Sequence, residues 1–181
     1  VFFNLSWFIL QAVYVAYAVQ TLGLSATEVG ASLGIYGAGM IVGAALAPAI
    51  ARRLSFGALV LLGPLCGLCA ASVMLATLWL PSVVLVGTSF FLFGVGPIIW
   101  TISTMTLRQA VTPNAMLGRV SALIMTATFG ARPLGAAIGA AVAAQAGTAA
   151  CLALATVGFL IQLLVIGFSR VPRLRDIAEL A

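Results

Sequence analysis

Six apolar runs fill almost the whole of this chain, each close to the roughly 20 residues that carry a helix across about 30 Å of hydrocarbon. They cover approximately 1–19, 29–50, 57–78, 83–106, 119–145 and 150–169, with short connections between them. Of the 181 residues, 64% are hydrophobic and 6% charged; a soluble domain carries about 25% charged residues. Such a chain cannot clothe a water-facing surface, so most of its exterior must face lipid. Length then counts crossings rather than domains. Lipid satisfies no backbone groups, and a barrel would need short alternating strands, so the runs are expected to be helices. The fold class implied is an all-α membrane protein with six transmembrane helices.

The connections alternate in charge. Residues 51–56 hold Arg52 and Arg53, 107–118 hold Arg108 with Arg119 at the far edge, and the tail holds Arg170, Arg173 and Arg175. The connection at 20–28 contains Glu28, with Ser25 or Thr27 available to cap the next helix; those at 79–82 and 146–149 carry no charge. If the first run crosses outward, seven of the eight arginines fall on one side, which the positive-inside rule assigns to the cytoplasm. The carboxyl terminus is expected on that side, with residues 176–180 as a short amphipathic turn. The net charge of +5 is thus a topology signal, and no basic face for nucleic acid exists apart from these loops. Trp79, beside Leu80 and Pro81, is placed either as an interfacial anchor or as a packing aromatic.

The sequence opens inside an apolar run, without the basic start and small-residue cleavage site of a signal peptide. This predicts a piece of a longer chain whose amino-terminal half is missing.

Arg132 stands out within the runs. It lies about thirteen residues into the fifth, roughly 20 Å deep at about 1.5 Å per residue. A central arginine costs at least about 2.5–3.5 kcal/mol to insert, and no Asp or Glu lies within any of the six runs to pair with it. Its partners are expected among hydroxyls, water, a missing segment, a ligand, and carbonyls such as that of Phe129, which Pro133 frees. Two readings follow: a cavity-facing cation that meets an anionic group, or a structural arginine that snorkels or binds carbonyls. On the first run, Asn4, Trp7, Gln11 and Tyr14 share one helical face. That face lines a cavity or makes helix–helix hydrogen bonds. Trp100, Thr101 and Thr104 in the fourth run and Gln162 in the sixth are of the same kind.

Small residues four apart let helix backbones approach closely. Gly39 and Gly43, Gly63 and Gly67, and Gly135 and Gly139 have this spacing. Pro64, Pro97 and Pro133 lie within runs, and a bend is expected at Pro97, after Gly94 and Gly96. The segment from Gly39 to Ala45 resembles that from Gly135 to Ala141, in the second and fifth runs. Those places are equivalent if the chain is two three-helix units, inverted relative to each other. In the connection at 107–119, Thr112 and Pro113 have the character of a cap and a first helical residue. They predict a short surface helix ending at Leu117 and a turn at Gly118. Arg108 and Arg119 flank it, either as headgroup anchors or as a gate latch.

The chain has no His. Without His or a buried acid, hydrolysis lacks a base and a metal lacks its usual ligands. Cys66 and Cys69, three apart on a buried helix, read as packing residues, and Cys151 also lies in an apolar run. No enzyme activity, metal or cofactor is expected.

The strings Thr106-Leu107-Arg108-Gln109, Thr112-Pro113, Leu117-Gly118-Arg119-Val120 and Arg132-Pro133-Leu134-Gly135 resemble the carboxyl-terminal half of major facilitator superfamily transporters. The nearest branch is similar to bacterial enterobactin and macrolide exporters, and the resemblance covers nearly the whole chain. It implies a multi-pass protein of the bacterial inner membrane that works by alternating access, as an antiporter commonly driven by proton entry. The partners implied are a small-molecule substrate, the lipid bilayer and the amino-terminal half of the same transporter. The gate candidates are Arg52, Arg53, Arg108, Gln109, Thr112, Pro113, Gly118 and Arg119. The sequence departs from the family where an acid often accompanies the basic pair, since Arg52 and Arg53 have none. A charge latch and the proton-coupling carboxylate would then belong to the missing half.

Overall fold

An apolar sequence deprived of water must bond its own backbone, and the computed structural model of this chain, which describes residues 1–169, is built of α-helices joined by short connections. The expected tail arginines, the surface turn at 176–180 and the carboxyl terminus lie outside the described residues. The helices are α1 (Phe2–Gln20), α2 (Ala26–Ala51), α3 (Phe56–Ala76), α4 (Val83–Val111) and α5 (Asn114–Gly167). All five are long and apolar enough to cross a membrane. Helix α2 starts at a capping box: Ser25 Oγ accepts from the Glu28 backbone N–H at 3.3 Å, and the Glu28 carboxylate accepts from the Ser25 N–H at 2.8 Å. Helices α3, α4 and α5 run on through Pro64, Pro97 and Pro133.

Helix α5 counts 54 residues but does not run straight. Its backbone leaves the helical region at Gly147, with φ 81° and ψ 175°, a conformation open essentially to glycine alone. In a straight helix Gly139 and Cys151 would lie about 18 Å apart. Instead the Cys151 thiol donates to the Gly139 carbonyl at 3.0 Å. The chain therefore folds back into two arms, residues 114–146 and 148–167.

The connection between α4 and α5 corrects one expectation. No separate surface helix ends at Gly118. Thr112 closes α4 in an extended conformation, and Pro113 takes the N-cap place of α5 without a side-chain capping bond. The amides of Met116 and Leu117 both reach the Pro113 carbonyl, at 2.8 and 3.2 Å, so the hydrogen-bonded ladder is already established there. It continues through Gly118 and Arg119, because breaking it would leave backbone groups without partners.

Contacts between helices set their directions. Gly39 faces Phe91 and Gly43 faces Val95, so α2 and α4 run parallel. Gly135 faces Leu5 and Gly139 faces Ile9, so α1 and the first arm also run parallel. Helix α3 opposes α4, with Cys66 against Gly96 and the Ser89 hydroxyl donating to the Ala70 carbonyl at 2.8 Å. It opposes the second arm likewise, with Gly67 against Phe159 and Thr156 against Ala71. Arg52, Arg53, Arg108 and Arg119 consequently share one end of the bundle. The turns containing Glu28, Trp79 and Gly147 share the other. The small-residue packing is reciprocal: α2 leans on α4 as the first arm leans on α1.

An aromatic cluster occupies the centre. The Trp7 ring stands 4.6 Å from Phe93 and 6.0 Å from Phe90, Tyr14 stands 4.5 Å from Phe90, and Phe159 stands 5.3 Å from Phe93. These edge-on and tilted arrangements suit the ring quadrupoles. Outside, large apolar side chains are left uncovered, Ile41 at 74% and Leu123 at 73% exposure among them, as suits a surface solvated by acyl chains.

Candidate functional site

A cavity of about 510 Å³ opens between α1, α2, α4 and both arms of α5. Asn4, Tyr36, Trp100, Thr101, Thr104, Arg108, Thr128, Arg132 and Gln162 supply its polar groups, and Phe93, Ile98 and Phe129 are among its apolar walls. It extends along α4 from Pro97 past Thr101 and Thr104 to Arg108, residues three or four apart and so on one face. That path leads toward the arginine-bearing end.

Arg132 is half-buried. Its Nε donates to Asn4 Oδ1 at 3.0 Å. The centre of its guanidinium lies 4.1 Å from the Phe129 ring centroid and 5.5 Å from that of Phe8. A cation on an aromatic face gains about 0.5–2 kcal/mol, more as water is removed. The amide and the rings hold the guanidinium without neutralising it. The only acid among the described residues, Glu28, sits in its capping box at the opposite end.

Two buried polar atoms in this cavity have no partner among the described residues: Trp100 Nε1, a donor, and Gln162 Oε1, an acceptor. Two neighbouring hydroxyls on α4 are already committed. Thr101 Oγ1 donates to the Pro97 carbonyl and Thr104 Oγ1 to that of Trp100, both at 2.8 Å. They offer the cavity only lone pairs.

Four of the six expected cavity residues meet here: Asn4, Trp100, Thr104 and Arg132. Gln11 and Tyr14 do not line the cavity. Tyr14 is fully buried and gives its hydroxyl to Ser32, which in turn donates to the Val29 carbonyl at 2.6 Å. The reason is depth. Trp7, stacked on Tyr36 at 5.3 Å, lies in the aromatic cluster that packs α1 beyond its first turns. Of the polar face of α1, only Asn4 reaches the cavity; Trp7 and Tyr14 belong to the helix–helix core.

Among the gate candidates, Arg108 lies in the last turn of α4 and lines the cavity itself. Gln109 is also in that turn, Thr112 and Pro113 join α4 to α5, and Gly118 and Arg119 are in the opening turns of α5. Arg52 caps the end of α2, with Arg53 next to it. Of the packing glycines, a Cβ on Gly39 would meet the Phe91 carbonyl oxygen at 2.5 Å, and one on Gly139 would meet that of Ile9 at 2.8 Å. Gly43 lies against Val95 and Ile98, and Gly135 against Leu5 and Phe8.

Two partners escaped the sequence. Arg132 uses the ring of Phe129 and the amide of Asn4, neither of which was among the hydroxyls, carbonyls, water, missing segment or ligand that the sequence offered. Tyr36 also enters the cavity; the sole signal for it was a phenol in an otherwise apolar helix, between Gly34 and Gly37.

Comparison with curated proteins and with solved structures returns no match. A family model described as transmembrane secretion effector matches residues 1–180. With its membrane-spanning helices, this chain is a multi-pass membrane protein and belongs to the transmembrane secretion effector family of major facilitator transporters.

Proposed function

We propose that this chain is the carboxyl-terminal half of a secondary active exporter, crossing a bacterial inner membrane six times as two inverted three-helix units. The Arg132 cavity is its share of a substrate site that faces the two sides of the membrane in turn. The observation that carries the reading is a mainly apolar cavity with a few polar groups around an unneutralised guanidinium, leading toward the arginine-bearing end. About 510 Å³ lies within the usual size of a small-molecule site, and the amino-terminal half would close it from the facing side. The reciprocal packing of α2 on α4 and of the first arm on α1 supports the inverted units. The positive-inside rule supports a cytoplasmic location for Arg52 and Arg108. Proton coupling falls to the amino-terminal half, because no carboxylate lies within the spans here.

The test uses the chain together with its upstream half. Export of a candidate cargo from cells should fall at least about tenfold in Arg132→Ala, the loss of a charge-assisted contact, while membrane abundance holds. Unchanged export at equal abundance refutes a substrate-site role for Arg132.

A further inference from the structure

The unspent hydrogen-bonding groups of the cavity describe the cargo, an argument that rests on the transporter reading above. Arg132 has committed Nε to Asn4, and its Nη edge has no partner among the described residues. Arg108 brings a second guanidinium to the same cavity. Trp100 Nε1 adds a buried N–H without an acceptor. The protons of Thr101 and Thr104 are turned back onto α4. The site therefore holds surplus donors and positive charge, and no carboxylate of the described residues opposes them.

One buried acceptor in the cavity lacks a donor among the described residues. It is Oε1 of Gln162, which is 5% exposed. A buried amide oxygen in that state is costly unless something donates to it. Ile98 and Phe129 add apolar wall to the same cavity.

We infer that this half-site recognises an amphipathic organic anion. Its carboxylate, sulfonate or phosphate takes the Nη edge of Arg132, and its apolar body lies on Ile98 and Phe129. A hydroxyl or N–H on that body donates to Gln162. The guanidinium suits this task because its planar fork still presents two parallel N–H groups after Nε is used. Arg108, nearer the arginine-bearing end, draws the anion inward along α4.

The test is made on the full two-half protein with two dyes of similar size, anionic fluorescein and cationic rhodamine 6G. Binding is read by polarisation in detergent, and movement by uptake into phosphatidylcholine proteoliposomes. The wild type should bind and move fluorescein in preference to rhodamine 6G. Arg132→Gln should weaken fluorescein binding about tenfold or more, with Arg132→Lys retaining more of it. Trp100→Phe, which keeps a ring and removes one donor, should weaken it about threefold to tenfold, and serves if Arg132→Gln does not fold. A wild-type preference for rhodamine 6G, failure to bind either dye, or fluorescein binding unchanged in a folded Arg132→Gln or in Trp100→Phe overturns the anion assignment. Fluorescein binding in detergent with neither dye moved across the liposome wall overturns the transporter reading and leaves the anion site standing.

Discussion

Asn4 and Arg132, 128 residues apart in the chain, are joined by a single hydrogen bond of 3.0 Å from the guanidinium Nε to the amide oxygen. The bond ties the start of α1 to the first arm of α5, the two elements that Gly135 and Gly139 allow to touch.

Asn4→Ala removes the only acceptor this Nε has among the described residues. A hydrogen bond to a charged group contributes about 1.5–3 kcal/mol, so export should fall about tenfold or more with abundance unchanged. Asn4→Asp has the opposite effect on stability. It keeps an acceptor in place and adds a counter-charge, so the thermal midpoint in detergent should rise while export drops, because the guanidinium is then spent on the protein. Export assays in vesicles beside unfolding curves check both.

Gly39→Ala should be severe for so small a change. Its new methyl would stand 2.5 Å from the Phe91 carbonyl oxygen and 3.2 Å from the Gly94 Cα, backbone atoms with no rotamer to yield. Overpacking of this kind costs about 1–3 kcal/mol. Gly34→Ala, in the same helix, meets nothing within 4 Å and should be neutral or slightly stabilising. Denaturant unfolding of the two variants in micelles gives the comparison.

Gly147→Ala tests the fold-back of α5. At φ 81° and ψ 175° an alanine is strained by about 1–3 kcal/mol, and no neighbouring group within 4 Å contributes to that cost. The variant should unfold at lower temperature and be cut more readily by protease at this turn. A midpoint equal to that of the wild type would show that the turn does not need a glycine.

Tyr17 and Thr77 should respond unequally to substitution. Thr77 Oγ1 donates to the Met74 carbonyl at 2.6 Å, so the 2.7 Å contact between the two hydroxyls uses the Tyr17 proton. Tyr17→Phe leaves Thr77 bonded and should cost about 0.5–1.5 kcal/mol. Thr77→Val strands a buried phenol donor and should cost about 1–3 kcal/mol. Equal losses in unfolding experiments would contradict this assignment of donor and acceptor.

Much of this architecture was legible in the residues taken in order. Hydropathy alone marks the runs that become α1 to α4, and Ser25 with Glu28 announces the start of α2. Counting crossings brings Arg52 and Arg108 to the same end. The turn expected at Gly118 was not there, because local turn chemistry at Thr112 and Pro113 cannot say whether a hydrogen-bonded ladder resumes immediately afterwards. The polar face of α1 illustrates the same limit within the site. Spacing placed Asn4, Gln11 and Tyr14 on one face, but only packing against Tyr36 and Phe93 could decide that Asn4 meets the cavity and Tyr14 meets Ser32.

The sequence by itself determined that this is a membrane protein, which segments are apolar enough to cross, and which connections carry positive charge. Those properties are sums of local transfer energies, and they accumulate along the chain wherever each segment ends up. Only the tertiary structure decided that Arg132 pairs with Asn4, that Arg108 joins the cavity, and that Gln162 is buried there with its oxygen unspent. In lipid the hydrocarbon outside is as apolar as the leucines within, so burial does not select the inward face of a helix. Close backbone contact at residues such as Gly39 and Gly139, and a few hydrogen bonds between residues distant in sequence, make that selection.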